Sequence, residues 1–228
     1  MVDLIKYEKE LAAQGYKLIA GTDECGVSPI AGALTVCAII VKWESLSKIR
    51  LKLTPRSKEF RVIDSKLLSL EQREKLYPII LNHAIDCSIH HVPVKEIDEL
   101  NVYYARERGW EEALAKLKVI PDFILGDHFT PKLIVNGSKI PSLGITKGDR
   151  LSVSIAASSI VAKVIRDRLM KSWDDYYPGY GWKSNVGYGT PEHLKALREK
   201  GITPLHRKSF RHVKEVLEMV NLMNGVIT

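Results

Sequence analysis

The sequence predicts an α/β or α+β domain with a helical C-terminal part. Short apolar, β-like runs come early, helical patterns are interleaved with them, and helices close the chain. Residues 16–22 (YKLIAGT) form the first run, which delivers Asp23 and Glu24 at its end. Gly26, Ser28, Pro29 and Gly32 then mark a turn before residues 33–41, which are rich in small and β-branched types. Two adjacent strands joined by a tight, glycine-rich corner account for this pattern. Residues 45–61 are polar and basic and read as a loop. Ser69 followed by Gln72 is a capping box, opening a helix to about residue 83 with Leu70, Leu76, Ile80 and Ala84 near helical spacing. Pro78 is expected to kink or interrupt that helix. A strand follows over 85–92, then a helix from about 102 to 118 that Pro121 stops. Residues 122–127 (DFILGD) make another short strand ending in an acid. Asp149 or Ser152 can cap a long helix to about 176. Thr190 and Pro191 start a further helix that Gly201 ends, and a last helix covers about 210–223.

Length and composition limit what this domain can be. At 228 residues the chain suits one large domain, or one domain with a helical extension. Hydrophobic residues at 45% and charged residues at 27% argue against disorder. The longest apolar run, 31–41, is about half a membrane-spanning length. The first six residues lack the apolar core and cleavage site of a signal peptide. Cys25, Cys37 and Cys87 have no CxxC spacing, so neither a zinc site nor a disulfide framework is implied, and a reducing cytoplasm is the expected setting. The formal charge is +7, and residues 147–214 hold 14 basic against 6 acidic side chains. A surface of that sign favours a polyanion such as nucleic acid.

Phosphate-binding signatures are missing from the sequence: neither GxxxxGK[ST] nor GxGxxG occurs, and HExxH and GxSxG are also absent. What remains is acids at strand ends. Asp23 and Glu24 follow the first strand, Asp127 ends a later one, and Asp167 lies in the long helix between Arg166 and Arg168. Adjacent strand residues point to opposite faces, so Asp23 and Glu24 share a site only if the strand twists or ends there, which Gly26 permits. Four carboxylates within about 5 Å would repel by roughly 3 kcal/mol per pair at an effective dielectric near 20. Such a cluster stays ionised only with divalent cations, and Mg²⁺ or Mn²⁺ is the expected occupant. On residues alone each acid also fits a plainer account. The acid pair suits a solvated loop, Asp127 the end of a strand, and Asp167 a salt bridge on a helix face.

Seven collinear blocks decide between these accounts: GTDECGVSPIAG (21–32), DSKLLSLEQREKLY (64–77), EIDELN (96–101), DFILGD (122–127), KGDRLSVSIAASSIVAKVIRDRLM (147–170), YPGYGWKSNVGYGT (177–190) and HRKSF (206–210). Together they resemble ribonuclease HII over residues 17–210. The resemblance implies an RNase H-like α/β core at about 15–175, a five-stranded mixed sheet flanked by helices, with a helical C-terminal extension at about 176–228. It implies two-metal-ion hydrolysis of the RNA strand of RNA–DNA hybrids, and incision of DNA duplexes at embedded ribonucleotides, leaving 5′-phosphate and 3′-hydroxyl ends. The family's four metal-binding carboxylates fall on Asp23, Glu24, Asp127 and Asp167, with Asp23 bridging the ions. Lys66 and Lys163 match positions that hold backbone phosphates. Tyr188 matches the tyrosine that stacks on the sugar at the junction between ribonucleotide and DNA. Ser158 and Ser159 occupy a small-residue run where their hydroxyls are expected to be merely tolerated.

One block departs from the family. Gly26, Val27 and Ser28 stand where it has Gly-Arg-Gly, whose backbone amides approach the 2′-hydroxyl. Losing the second glycine costs about 1 kcal/mol or more if a positive φ is needed there, and losing the arginine removes a cation near the phosphate. The expectation is retained chemistry with weakened recognition of single ribonucleotides. The alternatives are a nucleic-acid-binding protein of this fold with little turnover, or a nuclease of altered substrate preference. Ribonuclease HIII is disfavoured, since only about 16 residues precede the first strand. A monomer is expected, and residues 218–228 lack the paired aromatics of a clamp-binding tail.

Overall fold

The computed structural model of the chain describes residues 3–63 and 65–223, so Met1, Val2, Asp64 of the DSK block and the tail at 224–228 lie outside the described residues. Strand β1 (Ile19–Cys25) is buried at every position but Glu24. A strand covered on both faces belongs inside a sheet. It pairs antiparallel with β2 (Leu34–Val41), setting Asp23 opposite Cys37. On its other side it runs parallel to β4 (Phe123–Asp127), with Thr22 opposite Gly126. β4 carries β7 (Ser142–Ile145) in parallel, and β3 (Ala84–Val92) flanks β2. The five-stranded sheet is therefore mixed, in the order β3-β2-β1-β4-β7.

The chain divides into two compact units. The first holds the residues through Cys25, Thr35–His90 and Glu107–Val164. Strand alternation sorts its apolar side chains into two clusters. Ala20, Val36, Ala38, Ile40 and Ile124 pack with Trp110 and Leu114 of α4 (Val94–Ala115). Ile19, Leu125 and Ile145 pack with Leu11 of α1 (Lys6–Ala13) and Ile155 of α5 (Val153–Ser172). The start of α5 lies directly against β1: a Cβ on Gly21 would stand 2.2 Å from the Ser154 backbone, so only glycine fits. Glu8 of α1 reaches the same helix end. It is wholly buried, and its Oε1 accepts from Ser152 Oγ–H at 2.5 Å and from Ser154 N–H at 3.1 Å. That carboxyl takes the Ser154 amide, one of those which the first turn of a helix leaves unpaired.

The second unit holds Gly26–Leu34, His91–Arg106 and the chain from Ile165 onward. Its helices include α6 (Trp182–Asn185), α7 (Pro191–Lys200) and α8 (Arg211–Met223). Ile30, Leu197, Val213 and Val216 form one of its clusters, and Met170, Tyr180, Trp182 and Leu205 belong to another. Beside the second cluster lie two buried histidines in series. Thr203 N–H donates to His206 Nδ1 at 2.9 Å, which places the His206 proton on Nε2. His206 then donates to His193 Nε2 at 3.1 Å, and His193 Nδ1–H donates to the Tyr188 carbonyl at 2.8 Å. Burial, reinforced by His193, pushes His206 down to about 4 from an ordinary 6.5. Above that ordinary value both the folded and unfolded forms are neutral. Below it the unfolded chain takes up a proton that the folded chain refuses, so stability falls with pH until about pH 4, by ~3 kcal/mol in all. His206→Asn should flatten the slope by up to ~1.4 kcal/mol per pH unit, read as urea midpoints at about pH 5 and about pH 6. An unchanged slope would show that the acid limb belongs to other groups.

Several elements differ from expectation. β1 ends at Cys25, so both acids lie within the strand and not after it. Pro78 leaves α3 (Leu70–Asn82) unbroken and sits on its exposed face. The Ser69–Gln72 capping box is present, but Leu70 is largely exposed and Ala84 begins β3. α4 starts eight residues earlier than expected and changes direction at Asn101, whose φ is 62°. Ser152 is the residue that caps α5, accepting from Ile155 N–H at 3.2 Å, and the helix stops at Ser172. α1, α2 (Trp43–Leu46), α6, β7 and the hairpin of β5 (Ile134–Val135) and β6 (Ser138–Lys139) were not expected. Asn136 and Gly137 turn that hairpin, both at positive φ.

Candidate active site

The sheet places two of the acids. One step beyond the Thr22–Gly126 pair, the parallel register brings Asp23 level with Asp127. Asp23 is buried and its Oδ1 accepts from Glu24 N–H at 2.8 Å. Burial first, then the charges of Glu24 and Asp127, push its carboxyl well above the ordinary range. A hydrogen bond from the Ser159 side chain opposes that shift. Asp127 is oriented by the turn at Gly148–Arg150, where Gly148 N–H donates to its Oδ1 at 2.7 Å. Glu24 is held differently. It alternates with Asp23 along the strand and Trp110 Nε1–H donates to its Oε2 at 3.0 Å, yet its charge still reaches Asp23. Among the described residues no three His, Cys, Asp or Glu side chains converge as a ready-made cation cage.

The DSK segment is tied to Asp23 through two serines. Ser65 and Ser159 are both buried, with hydroxyls 2.9 Å apart, and Ser159 is also the partner of Asp23. Lys66 is exposed on the short turn Ser65–Leu67 that begins with Ser65. Ser159 is thus more than a tolerated hydroxyl, while Ser158 is satisfied within α5 by the Ile155 carbonyl. Lys163 and Asp167 follow Ser159 at successive four-residue steps, so all three share one face of α5.

The boundary between the units falls within α5, and the remaining residues expected at the site belong to the second. Asp167 is buried there. Its neighbour Arg166 does not make the helix-face salt bridge the sequence allows. The Arg166 guanidinium donates to the carbonyls of Ala33, Val186 and Ala31 at 3.1, 2.9 and 3.1 Å. Gly26 has a φ of 103°, and a Cβ there would stand 2.2 Å from Arg166 Nε. Arg207 holds the same loop from inside, donating to the carbonyls of Gly26 (2.6 Å), Val27 (2.9 Å) and Gly32 (2.8 and 3.0 Å). Ser28 is not among the positive-φ residues, so the strain expected from losing a glycine there does not arise. Val27 packs against the cluster of Leu34, Val92, Ile97 and Ala105. Tyr188 is 40% exposed while its carbonyl is fixed by His193 and by Thr190 N–H.

Trp110, Gly148, Ser65 and Arg207 shape the site and were not singled out from sequence. Ser65, Gly148 and Arg207 lie inside the seven blocks, but only the fold shows that they supply a hydroxyl, an amide and a fork of donors.

A profile of the family described as Ribonuclease HII matches residues 20–213 of the chain. A ribonuclease HII of Myxococcus xanthus is 42% identical over 217 residues, 95% of this chain and 69% of that protein. One of Acholeplasma laidlawii is 39% identical over 217 residues, 95% of this chain and 98% of its own length. Among solved structures, ribonuclease H2 of Pyrococcus horikoshii superposes with a TM-score of 0.72 at 24% identity, covering 89% of this chain and 98% of that one. Bst ribonuclease HIII in complex with Mn²⁺ superposes at 0.64 with 18% identity, covering 93% and 73%.

Proposed function

The chain belongs to the ribonuclease HII family, and from that premise we propose that Asp23, Glu24, Asp127 and Asp167 hold two divalent cations, Mg²⁺ or Mn²⁺, for hydrolysis of a phosphodiester. The family makes it an endoribonuclease acting on RNA–DNA hybrids. The observation that carries the cation proposal is the charge placed on Asp23, a buried carboxyl with two acidic neighbours and only two hydrogen bonds set against them. Carboxylate oxygens are the hard donors such cations take, and a cation relieves the repulsion that raises Asp23. When bound, two ions stabilise the attacking water and the departing oxygen of the phosphodiester. Asp23, on which the charges of both Glu24 and Asp127 act, would be a ligand to the cations. Gly148 N–H keeps Asp127 aimed, Ser159 keeps Asp23 aimed, and Trp110 holds Glu24 from the other face of β1.

Lys66 and Lys163 are proposed to hold backbone phosphates, and Tyr188 to press on the sugar beyond the ribonucleotide. The substrates are RNA–DNA hybrids and DNA duplexes with embedded ribonucleotides, cut to leave a 5′-phosphate and a 3′-hydroxyl. A reducing cytoplasm suits the three free cysteines, and among the described residues no helix is long and apolar enough to cross a membrane. The test is cleavage of three matched duplexes, in Mg²⁺ and then Mn²⁺: one embedded ribonucleotide, a short RNA tract in DNA, and a full hybrid. Binding of all three without cutting would replace the nuclease reading with a binding protein.

Gly26, Val27 and Ser28 support a narrower reading, in which single ribonucleotides are recognised less well than hybrids. Arg207 takes the Gly26 and Val27 carbonyls, so both peptide units are fixed, and the loop lacks only the arginine's charge. Val27→Arg with Ser28→Gly should raise the ratio of single-ribonucleotide to hybrid cleavage about tenfold, the ~1.4 kcal/mol of one modest charge-assisted contact. The measurement is competitive cleavage of the two duplexes in one tube. An unchanged ratio would show that the backbone amides already suffice.

A further inference from the structure

A second concentration of positive charge lies outside the carboxylate site. Residues 48–61 carry six basic side chains (Lys48, Arg50, Lys52, Arg56, Lys58 and Arg61) against one acid, Glu59. That surplus of five compares with +7 for the whole protein. The segment is a built loop and not a loose charge run. Leu51 and Phe60 exchange backbone hydrogen bonds of 2.9 and 2.8 Å at its base, and Phe60 is buried. Ser57 Oγ accepts from the amides of Leu53 and Thr54 and donates to the Thr54 carbonyl. Lys75 of α3 donates to the Leu53 carbonyl at 3.0 Å.

At its base is an open cavity of about 410 Å³ lined by Arg50, Arg61, Glu59 and Gln72 over Phe60, Ile63, Leu67 and Leu68. Leu67 and Leu68 directly follow Lys66, so the wall of this cavity is the turn that carries Lys66. Glu59 is paired with Lys52 at 3.9 Å, and Arg50 Nη1–H donates to the Ser47 and Ile49 carbonyls. Among the described residues Lys48, Arg56, Lys58 and Arg61 have no ion-pair partner.

We infer that this loop is a second anchoring surface for the nucleic-acid duplex, taking backbone phosphates on the far side of Lys66 from Asp23. The inference rests on the family reading, which places phosphate at Lys66. A hydrogen-bonded loop of unpaired cations that shares a cavity wall with the turn of that lysine extends the footprint along the same polyanion, and it needs no sequence preference. Arginine suits this use because its planar fork binds phosphate oxygens in pairs.

The test is the salt dependence of binding, with Asp127→Asn present in every protein so that nothing is cut. Arg56→Gln, Lys58→Gln and Arg61→Gln are combined, and Kd for a 30-base-pair hybrid is measured from about 50 to about 200 mM salt. Three lost phosphate contacts should lower the slope of log Kd against log salt by about 2.7, so the fourfold rise in salt weakens binding about 40-fold less than in the parent. Should Arg61→Gln unsettle the half-buried base of the loop, Arg56→Gln with Lys58→Gln carries the test, with a loss of about 1.8 in slope. An unchanged slope in a folded variant overturns the assignment and leaves the charge for an acidic protein surface. Failure of the family reading appears separately, as a protein with Asp127 intact that neither cuts nor binds hybrids.

Discussion

Asp127→Asn should reduce cleavage of an RNA–DNA hybrid by at least about a thousandfold, ~4 kcal/mol of transition-state stabilisation, while the folded protein still binds the duplex. Asparagine keeps the shape of the side chain and an oxygen that can accept from Gly148 N–H, the 2.7 Å contact that aims Asp127. The substitution therefore removes charge and little else. It takes away one of the two negative neighbours that raise Asp23, and with it a hard oxygen donor for the cations. Gel-based cleavage in Mg²⁺ and Mn²⁺, with hybrid binding measured in parallel, checks the outcome. Activity within about tenfold of the parent would mean that Asp127 does no more than end its strand. Joint loss of binding and fold would mean that the change acted through structure.

The second large effect concerns a residue that holds the loop at Gly26 and Gly32 from inside. Arg207→Met should lower stability by ~3–5 kcal/mol and the melting temperature by about 10 °C. Arg207 is wholly buried, and its guanidinium serves three carbonyls, those of Gly26, Val27 and Gly32. Each acceptor left buried without a donor costs about 1–3 kcal/mol. Methionine fills part of the volume and replaces none of the donors. Arg207→Lys should rescue little, because one ammonium cannot reproduce a planar fork spread over three acceptors. Thermal unfolding of both variants is the measurement, and a loss below about 1 kcal/mol would show that the loop finds other donors.

The sequence made much of the fold legible, since strong local signals coincide with the tertiary structure. The Ser69–Gln72 box, the Thr190 cap and the run at residues 33–41 each specify an element without help from distant residues. β7 escaped because four residues with glycine among them carry little periodicity, and only pairing with β4 makes them a strand. α1 escaped because its one decisive residue, Glu8, is an acid whose reason to be buried lies at Ser152 and Ser154. For the site, the acids were legible as residue types, and the resemblance to ribonuclease HII selected four of them. Their supports were not legible. Trp110 lies 86 residues from Glu24 and Ser65 lies 94 from Ser159, and no spacing rule reaches that far. Ser28 shows the converse: the sequence raises a backbone cost that the φ angles do not bear out.

The bond between Glu8 and Ser152 spans 144 residues, and this has a consequence for synthesis. At roughly 5–20 residues per second, the ribosome delivers Ser152 about 7–30 s after Glu8. Through that interval Glu8 of the first helix has no donor from Ser152 or Ser154, and β1 waits likewise for β4, whose residues come about a hundred positions later. The centre of the sheet is therefore among the first parts made and among the last completed. Long-range closure of this kind slows folding, and it leaves a nascent chain whose earliest strand is also its longest-exposed one.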